Sequence, residues 1–215
     1  VEGKPDAFVI TGDIPALWLR DSAAQLRPFL HLAADDAQLR QLYRGLIRRH
    51  ARCVLLDPYA NAFTRDPAST AGLHWSKNDR TEMKPGVAER KWEVDSLCYV
   101  LRLAHDYWRA TGDTEPFDAT WTRAARLIVA TFKEQQRYNG PGPYRFQRHS
   151  TQPTETTLAG VGVPTKKHGL IHSAFRPSDD ACTFPCNIPG NLFAVTTLRE
   201  LALMARGVLK DAGLA

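Results

Sequence analysis

Three short stretches of this 215-residue chain mix carboxylates and arginines where helices begin, two of them with a tryptophan. "FVITGDIPALWLRDSAAQL" carries Trp18, Arg20 and Asp21. "DRTEMKPGVAERKWEVDS" carries Glu82, Lys84, Glu89, Arg90, Lys91, Trp92, Glu93 and Asp95. "SAFRPSDDACTF" carries Arg176, Ser178, Asp179 and Asp180. Helix N-termini favour carboxylates because free N–H groups and the helix dipole attract negative charge, so capping explains any single acid here. Asp113 and Asp118 are read that way. The third stretch differs. Two adjacent carboxylates follow an arginine and a rigid proline, so they point in different directions from a turn. One can pair with an arginine while the other stays free to hold a proton, and acid–base chemistry needs carboxyls whose environments drive them apart. Trp18, Tyr59, Phe63, Trp75 and Trp92 lie in or beside these stretches rather than in apolar stripes. Sugars present C–H faces to aromatic rings and hydroxyls to carboxylates and arginines. The combination suits a carbohydrate site. Aromatics that pin long loops to a core are the competing explanation.

Apolar spacing predicts the elements that must hold these groups. Helices are expected over 17–33, 36–56, 91–111, from 114 or 118 to 137, and over 189–211, with Leu192, Val195, Leu198 and Leu201 inward on the last. Gly112 is the expected stop of the third. The segments between, 57–90 and 138–177, are rich in Pro and Gly and read as loops with at most short strands. Loops of that length in a compact domain are usually functional. No strand–helix alternation occurs, so a parallel sheet is not expected. The fold class is all-α, built of helix pairs.

Composition removes several classes. Hydrophobic content of 43% and charged content of 24% are globular values, not those of a disordered chain. No run of 18 apolar residues exists, so no membrane partner is expected. The net charge of +5 is partly local, with Arg40, Arg44, Arg48, Arg49 and Arg52 on one helix. Without aromatic interleaving or a nucleic-acid motif, these are expected to form a solvated helix face, and no nucleic-acid partner is assigned. Cys53, Cys98, Cys182 and Cys186 contain no C-x-x-C pair and make no disulfide framework; the first two read as core. The histidines lack metal-ligand spacing, so no metal is expected, and no phosphate or dinucleotide fingerprint calls for a cofactor.

The blocks "TGDIPALWLRDSAAQ", "YANAF", "TEMKPGVAERKWEVDSLCY", "FQR" and "FRPSDDACTF…NLFAV" fall in the order of glycoside hydrolase family 125, which the chain resembles over nearly its whole length. The resemblance implies an (α/α)6 barrel and an inverting exo-α-mannosidase that removes terminal α-1,6-linked mannose from mannose-containing oligosaccharides. It implies that the "RPSDDA" block holds the general acid, with Asp179 favoured over Asp180. It places Trp18, Arg20, Asp21, Trp92, Glu93 and Asp95 in the walls of the −1 sugar pocket. Asn61, Glu82, Lys84, Arg148, Arg176 and Ser178, from the same blocks, complete the candidate substrate-binding set. Five long helices against the barrel's twelve imply that residues 1–215 are part of a single catalytic domain, truncated at both ends. The family's general base is then expected beyond Ala215. A glucoamylase- or trehalase-like (α/α)6 glycosidase and a non-catalytic sugar-binding helical module are the alternatives. Cytoplasmic and periplasmic or secreted locations both fit.

Overall fold

The computed structural model describes residues 3–215, and helices dominate it. In chain order the elements are β1 (Leu17–Trp18), α1 (Leu19–Leu26), a 3-10 segment (Arg27–Ala34), α2 (Ala37–Leu56), β2 (Ala62–Phe63), β3 (Val87–Glu89), α3 (Val94–Thr111), α4 (Ala119–Gln135) and α5 (Ile188–Met204). One turn of π-helix, Ala205–Leu209, follows α5. Among the described residues no helix is long and apolar enough to cross a membrane. α3 lies at the centre and packs on α1, α2 and α5, while α2 packs on α4. One continuous core joins them, with Tyr43, Leu46, Trp92, Leu101, Tyr107, Trp121 and Ile128 all buried. Cys53 and Cys98 sit in that core, as expected.

Local chemistry sets the helix limits. Asp118 caps α4 by accepting from the amides of Thr120 and Trp121. Gly112 ends α3 with φ of 69°, a left-handed conformation in which a side chain is strained. The first expected helix is corrected at both ends. Pro15 and the pairing of Leu17 and Trp18 with Phe63 and Ala62 make its start a strand, and Pro28 tightens its second half to 3-10. α5 is corrected too. Leu201 faces the core, but Leu192 is 64% exposed and Val195 48% exposed, because α5 is apolar on two faces and α3 covers only one.

The arginine row of α2 is not a solvated face. Arg44 donates to Asp113 at 2.6 Å, and Arg48, only 5% exposed, pairs with Glu115. Arg49 and Arg52 both grip Asp6, and Arg40 caps the carbonyl of Ala34. Four-residue spacing put them on one face, but neighbouring segments supply acids along it. The row ties α2 to the α3–α4 link and to the N-terminal strap. Asp113 is correspondingly a partner for Arg44 and Tyr107 more than a cap.

His50 lies fully inside α2, within 2.8 Å of Ser22 Oγ. Ser22 donates its proton to the Trp18 carbonyl at 2.6 Å, which leaves Ser22 Oγ to accept from His50 Nε2. Burial pushes its pKa from 6.5 down to about 3. A depressed folded pKa means the unfolded chain binds the extra proton between those values. Stability from this site is therefore complete above pH 6.5 and lost as pH falls towards 3. In urea titrations His50→Gln should remove part of the acid sensitivity, up to ~1.4 kcal/mol per pH unit below 6.5. Parallel pH profiles for both proteins would refute the assignment.

Candidate active site

A three-stranded antiparallel sheet of seven residues aligns the helix starts. β1 pairs with β2 and β2 with β3, Ala62 lying opposite both Trp18 and Glu89. β1 runs directly into α1, and β3 reaches α3 through residues 90–93. The Leu19 amide donates to the Asn61 carbonyl at 3.1 Å, which holds the first turn of α1 to the sheet. The start of α3 is served from elsewhere. Ser173 Oγ accepts from the Val94 amide at 3.1 Å. Glu93, at the N-cap position, accepts from no helix amide; its Oε2 accepts from Ser96 Oγ at 2.9 Å, and the same oxygen faces α1.

It meets Arg20 there. Arg20 Nη1 donates to Glu93 Oε2 at 2.7 Å and to Asp95 Oδ2 at 3.4 Å. Its Nε lies 3.5 Å from Asp21 Oδ2, and its Nη2 lies 3.9 Å from Asp179 Oδ1. One guanidinium thus gathers four carboxylates from all three sequence stretches. Burial alone would lower the Arg20 pKa, but Glu93, Asp95, Asp21 and Asp179 together raise it, so it stays charged. Burial, opposed by Arg20 and reinforced by Asp95 and Asp179, pushes the Glu93 carboxyl well above its ordinary value. Burial also raises Asp95, again against Arg20. One oxygen on each acid (Asp21 Oδ2, Glu93 Oε1, Asp95 Oδ1 and Asp179 Oδ1) is buried and accepts no hydrogen bond among the described residues. Buried polar atoms in folded proteins are normally satisfied. Asp21 Oδ2 and Asp179 Oδ1 have only their 3.5 and 3.9 Å ion-pair contacts to Arg20, and the four oxygens together form an array that hydroxyl donors can complete.

The two adjacent aspartates divide as the turn allows. Asp180 accepts from Arg176 Nη2 and Ser178 Oγ, both at 2.7 Å. Asp179 adopts φ of 65°, in the left-handed region, and sends its carboxylate to Arg20 instead. Its side chain is 45% exposed, so it sits at the rim of the group while Glu93 lies at the floor.

A second charged group adjoins the first. Glu89 accepts from Asn61 Nδ2 at 2.9 Å and from Trp75 Nε1 at 3.0 Å. Lys91 Nζ is 3.8 Å from Glu89, and Arg148 Nη2 is 3.7 Å from it. Arg148 is itself held in a two-point grip by Asp79 at 2.6 and 2.8 Å. Asn61 and Arg148 therefore stand in a neighbouring group, not on Arg20. Glu82 is exposed, and Lys84 is bonded to the Leu56 carbonyl and close to Asp57; neither joins the Arg20 group. Arg176 and Ser178 reach it only by holding Asp180. Trp92 is buried and donates to the His172 carbonyl at 2.7 Å, so it is a pillar beneath the site. Trp18 is nearly buried, packed with Ala16, Ala62 and Ala88 beside Trp75. Tyr59 and Phe63 are likewise core residues, and Trp75 is the half-buried aromatic of the five.

Sequence spacing did not single out Asp79 or Ser173, since each acts across more than 65 residues, Asp79 on Arg148 and Ser173 on the first residue of α3. Away from the site, His105, Asp106 and Glu200 bring one ligand-type atom each within 4.8 Å of one another, a grouping their spacing did not suggest. Asp106 is already paired there with Arg27 at 3.0 Å.

The class defined by these features is an all-α scaffold of helix pairs with a carboxylate-lined site at its helix starts. The family model described as metal-independent alpha-mannosidase (GH125) matches residues 1–215, and the chain belongs to that family. It is 39% identical over 217 residues to the meiotically up-regulated gene 157 protein of Schizosaccharomyces pombe, across 94% of this chain and 42% of that one. It resembles a solved Streptococcus pneumoniae structure of the metal-independent alpha-mannosidases, a non-productive substrate complex with alpha-1,6-mannobiose. The TM-score is 0.89 at 43% identity, over 95% of this chain and 47% of that one. The chain spans less than half the length of either relative.

Proposed function

We propose that residues 1–215 supply the general acid and much of the −1 pocket of an inverting exo-α-mannosidase acting on terminal α-1,6-linked mannose. The observation that carries this reading is the set of four buried carboxylate oxygens around Arg20 that accept no hydrogen bond among the described residues. Mannose hydroxyls donating to them would satisfy these acceptors. Membership of the family and the likeness to a structure holding alpha-1,6-mannobiose support the choice of sugar and linkage.

In the proposed reaction Asp179 gives its proton to the glycosidic oxygen as the C1–O bond breaks. Water adds to C1 from the opposite face of the ring, and its proton passes to a general base. Inversion needs the two carboxyls about 6.5–9.5 Å apart with the sugar between them. Asp179 and its neighbour Asp180 cannot flank one ring, and Glu93, Asp95 and Asp21 are gathered on the same guanidinium as Asp179. The reading therefore takes the base from outside residues 1–215. It makes this chain part of a single (α/α)6 domain, with the outward face of α5 packed against further helices.

Incubating the full-length protein with α-1,6-mannobiose, maltose and trehalose tests the reading. Mannose is expected from the first and no product from the others. Release of glucose would favour a glucoamylase- or trehalase-like enzyme, and mannose binding without turnover a sugar-binding module.

A further inference from the structure

Lys91 is buried, yet the proposed chemistry gives it no part. Its backbone amide donates to Asn61 Oδ1 at 3.0 Å, which fixes it at the end of β3. Its ammonium lies 5.3 Å from the centre of the Phe175 ring and 3.8 Å from Glu89, whose two oxygens are already taken by Asn61 and Trp75. The one hydrogen bond the ammonium makes among the described residues goes to the backbone carbonyl of Asp179, at 2.9 Å. Burying an ammonium is costly unless it is partnered; here Glu89 supplies the counter-charge, Phe175 a ring face and the Asp179 carbonyl the hydrogen bond.

That carbonyl belongs to the residue whose φ is 65°. Aspartate enters that region more readily than most side chains but still at a cost, so its contacts decide whether it stays there. The Asp179 amide donates to the Arg176 carbonyl at 2.9 Å, and the Asp180 carbonyl accepts from the Arg176 amide at 2.8 Å. These bonds close the turn, and its two ends are anchored where the Phe175 amide donates to the Trp92 carbonyl at 3.0 Å and the Ala181 amide to the Thr154 carbonyl at 2.6 Å. Lys91 ties it to β3, the strand that leads into Glu93. Arg20 holds the carboxylate, and Lys91 holds the carbonyl of the same residue.

We propose that Lys91 is a positioning residue that sets the direction in which the Asp179 carboxyl presents its proton. This rests on the reading of Asp179 as the general acid. Misdirected proton donation costs most when the leaving group needs a proton and least when it departs as a stable anion.

The test compares the full-length protein with its Lys91→Met, Lys91→Arg and Asp179→Asn variants on α-1,6-mannobiose and on 2,4-dinitrophenyl α-mannoside. Lys91→Met should lower kcat on mannobiose about 30-fold with KM within about threefold, in keeping with the cost of misplacing a catalytic group. Its loss on the dinitrophenyl substrate should be at least about tenfold smaller, and Lys91→Arg should recover part of the mannobiose rate. Equal losses on the two substrates, or a loss under about threefold on mannobiose, would overturn the proposal. Asp179→Asn separates the two claims. If it shows the leaving-group dependence and Lys91→Met does not, only the role of Lys91 fails. If Asp179→Asn lacks that dependence, the acid assignment fails first. Should Lys91→Met not melt cooperatively, Lys91→Gln carries the same comparison.

Discussion

Asp179→Asn in the full-length protein is expected to lower kcat on α-1,6-mannobiose about 10³-fold, whereas Asp180→Asn lowers it by about tenfold or less. General acid catalysis contributes typically about 10²–10⁴-fold, and an amide cannot supply the proton. The two residues are adjacent, but their surroundings separate their roles. Asp180 has both Arg176 and Ser178 on one oxygen, so its work is to close the turn. Its amide isostere keeps an acceptor there, and the turn survives with a weaker hold. Asp179 carries a buried oxygen with no hydrogen bond, 3.9 Å from Arg20, and a side chain that reaches the rim. Its isostere keeps the shape and loses the chemistry. Steady-state kinetics of both variants decide the matter. A larger loss in Asp180→Asn would exchange the assignments and make the Arg176 pair the element that tunes the acid.

Arg20→Met should be the most damaging single change to the site's structure. The guanidinium is the one cation within 4 Å of Glu93, Asp95 or Asp179 among the described residues. Removing one partner of a buried ion pair typically costs about 3–5 kcal/mol, because a buried charge is left uncompensated. For a domain of this size that corresponds to a fall in Tm of about 10 °C. The loss should depend on pH with a definite sign. Burial already raises Glu93 and Asp95, and without Arg20 they rise further. Carboxyls with raised folded pKa values contribute stability that is fully present below the unfolded value, 4.5 for Glu93, and lost as pH rises through the folded value. The gap between wild type and Arg20→Met should therefore be widest near pH 7.5 and narrow towards pH 4.5. Denaturant unfolding at both pH values measures it. A gap that widens on acidification would mean that Glu93 and Asp95 are not held by Arg20 in the way described. Mannose binding should be lost in the variant at either pH, because the acceptors no longer converge.

The parts of this architecture governed by local rules were readable from residue order. Gly112 stops α3 because a left-handed residue is needed there, and Asp118 caps α4 because its carboxylate reaches two free amides. The split between two adjacent aspartates was also foreseeable, since Pro177 and Arg176 fix the turn before them; which aspartate does which required the backbone at Asp179. What one sequence could not carry was the identity of distant partners. Arg44, Arg48, Arg49 and Arg52 looked solvated because their acids come from Asp113, Glu115 and Asp6. The α5 stripe was placed inward because a helix apolar on two faces offers no phase to choose between them. Trp18 and Trp92 were placed in the pocket walls by the family resemblance; in the fold their rings hold the sheet and the 171–175 loop. Conversely Glu89 and Lys91 stood in the same stretch and were not nominated. Their value lies in reaching Asn61, Trp75 and the Asp179 carbonyl, across 14 to 88 residues of chain.

The central claim is the proposal that this chain supplies the general acid and the sugar-binding carboxylates of an inverting reaction whose base lies outside residues 1–215. Proton NMR of α-1,6-mannobiose hydrolysis by the full-length protein, recorded in the first minutes, tests it most directly. The account predicts β-mannose as the first-formed anomer, converting later to the equilibrium mixture. α-Mannose appearing first would mean retention through a covalent intermediate. That would require a nucleophile about 5–5.5 Å from the acid, a spacing for which the Arg20-bound carboxylates would be the candidates, and would contradict the roles assigned to Glu93 and Asp95.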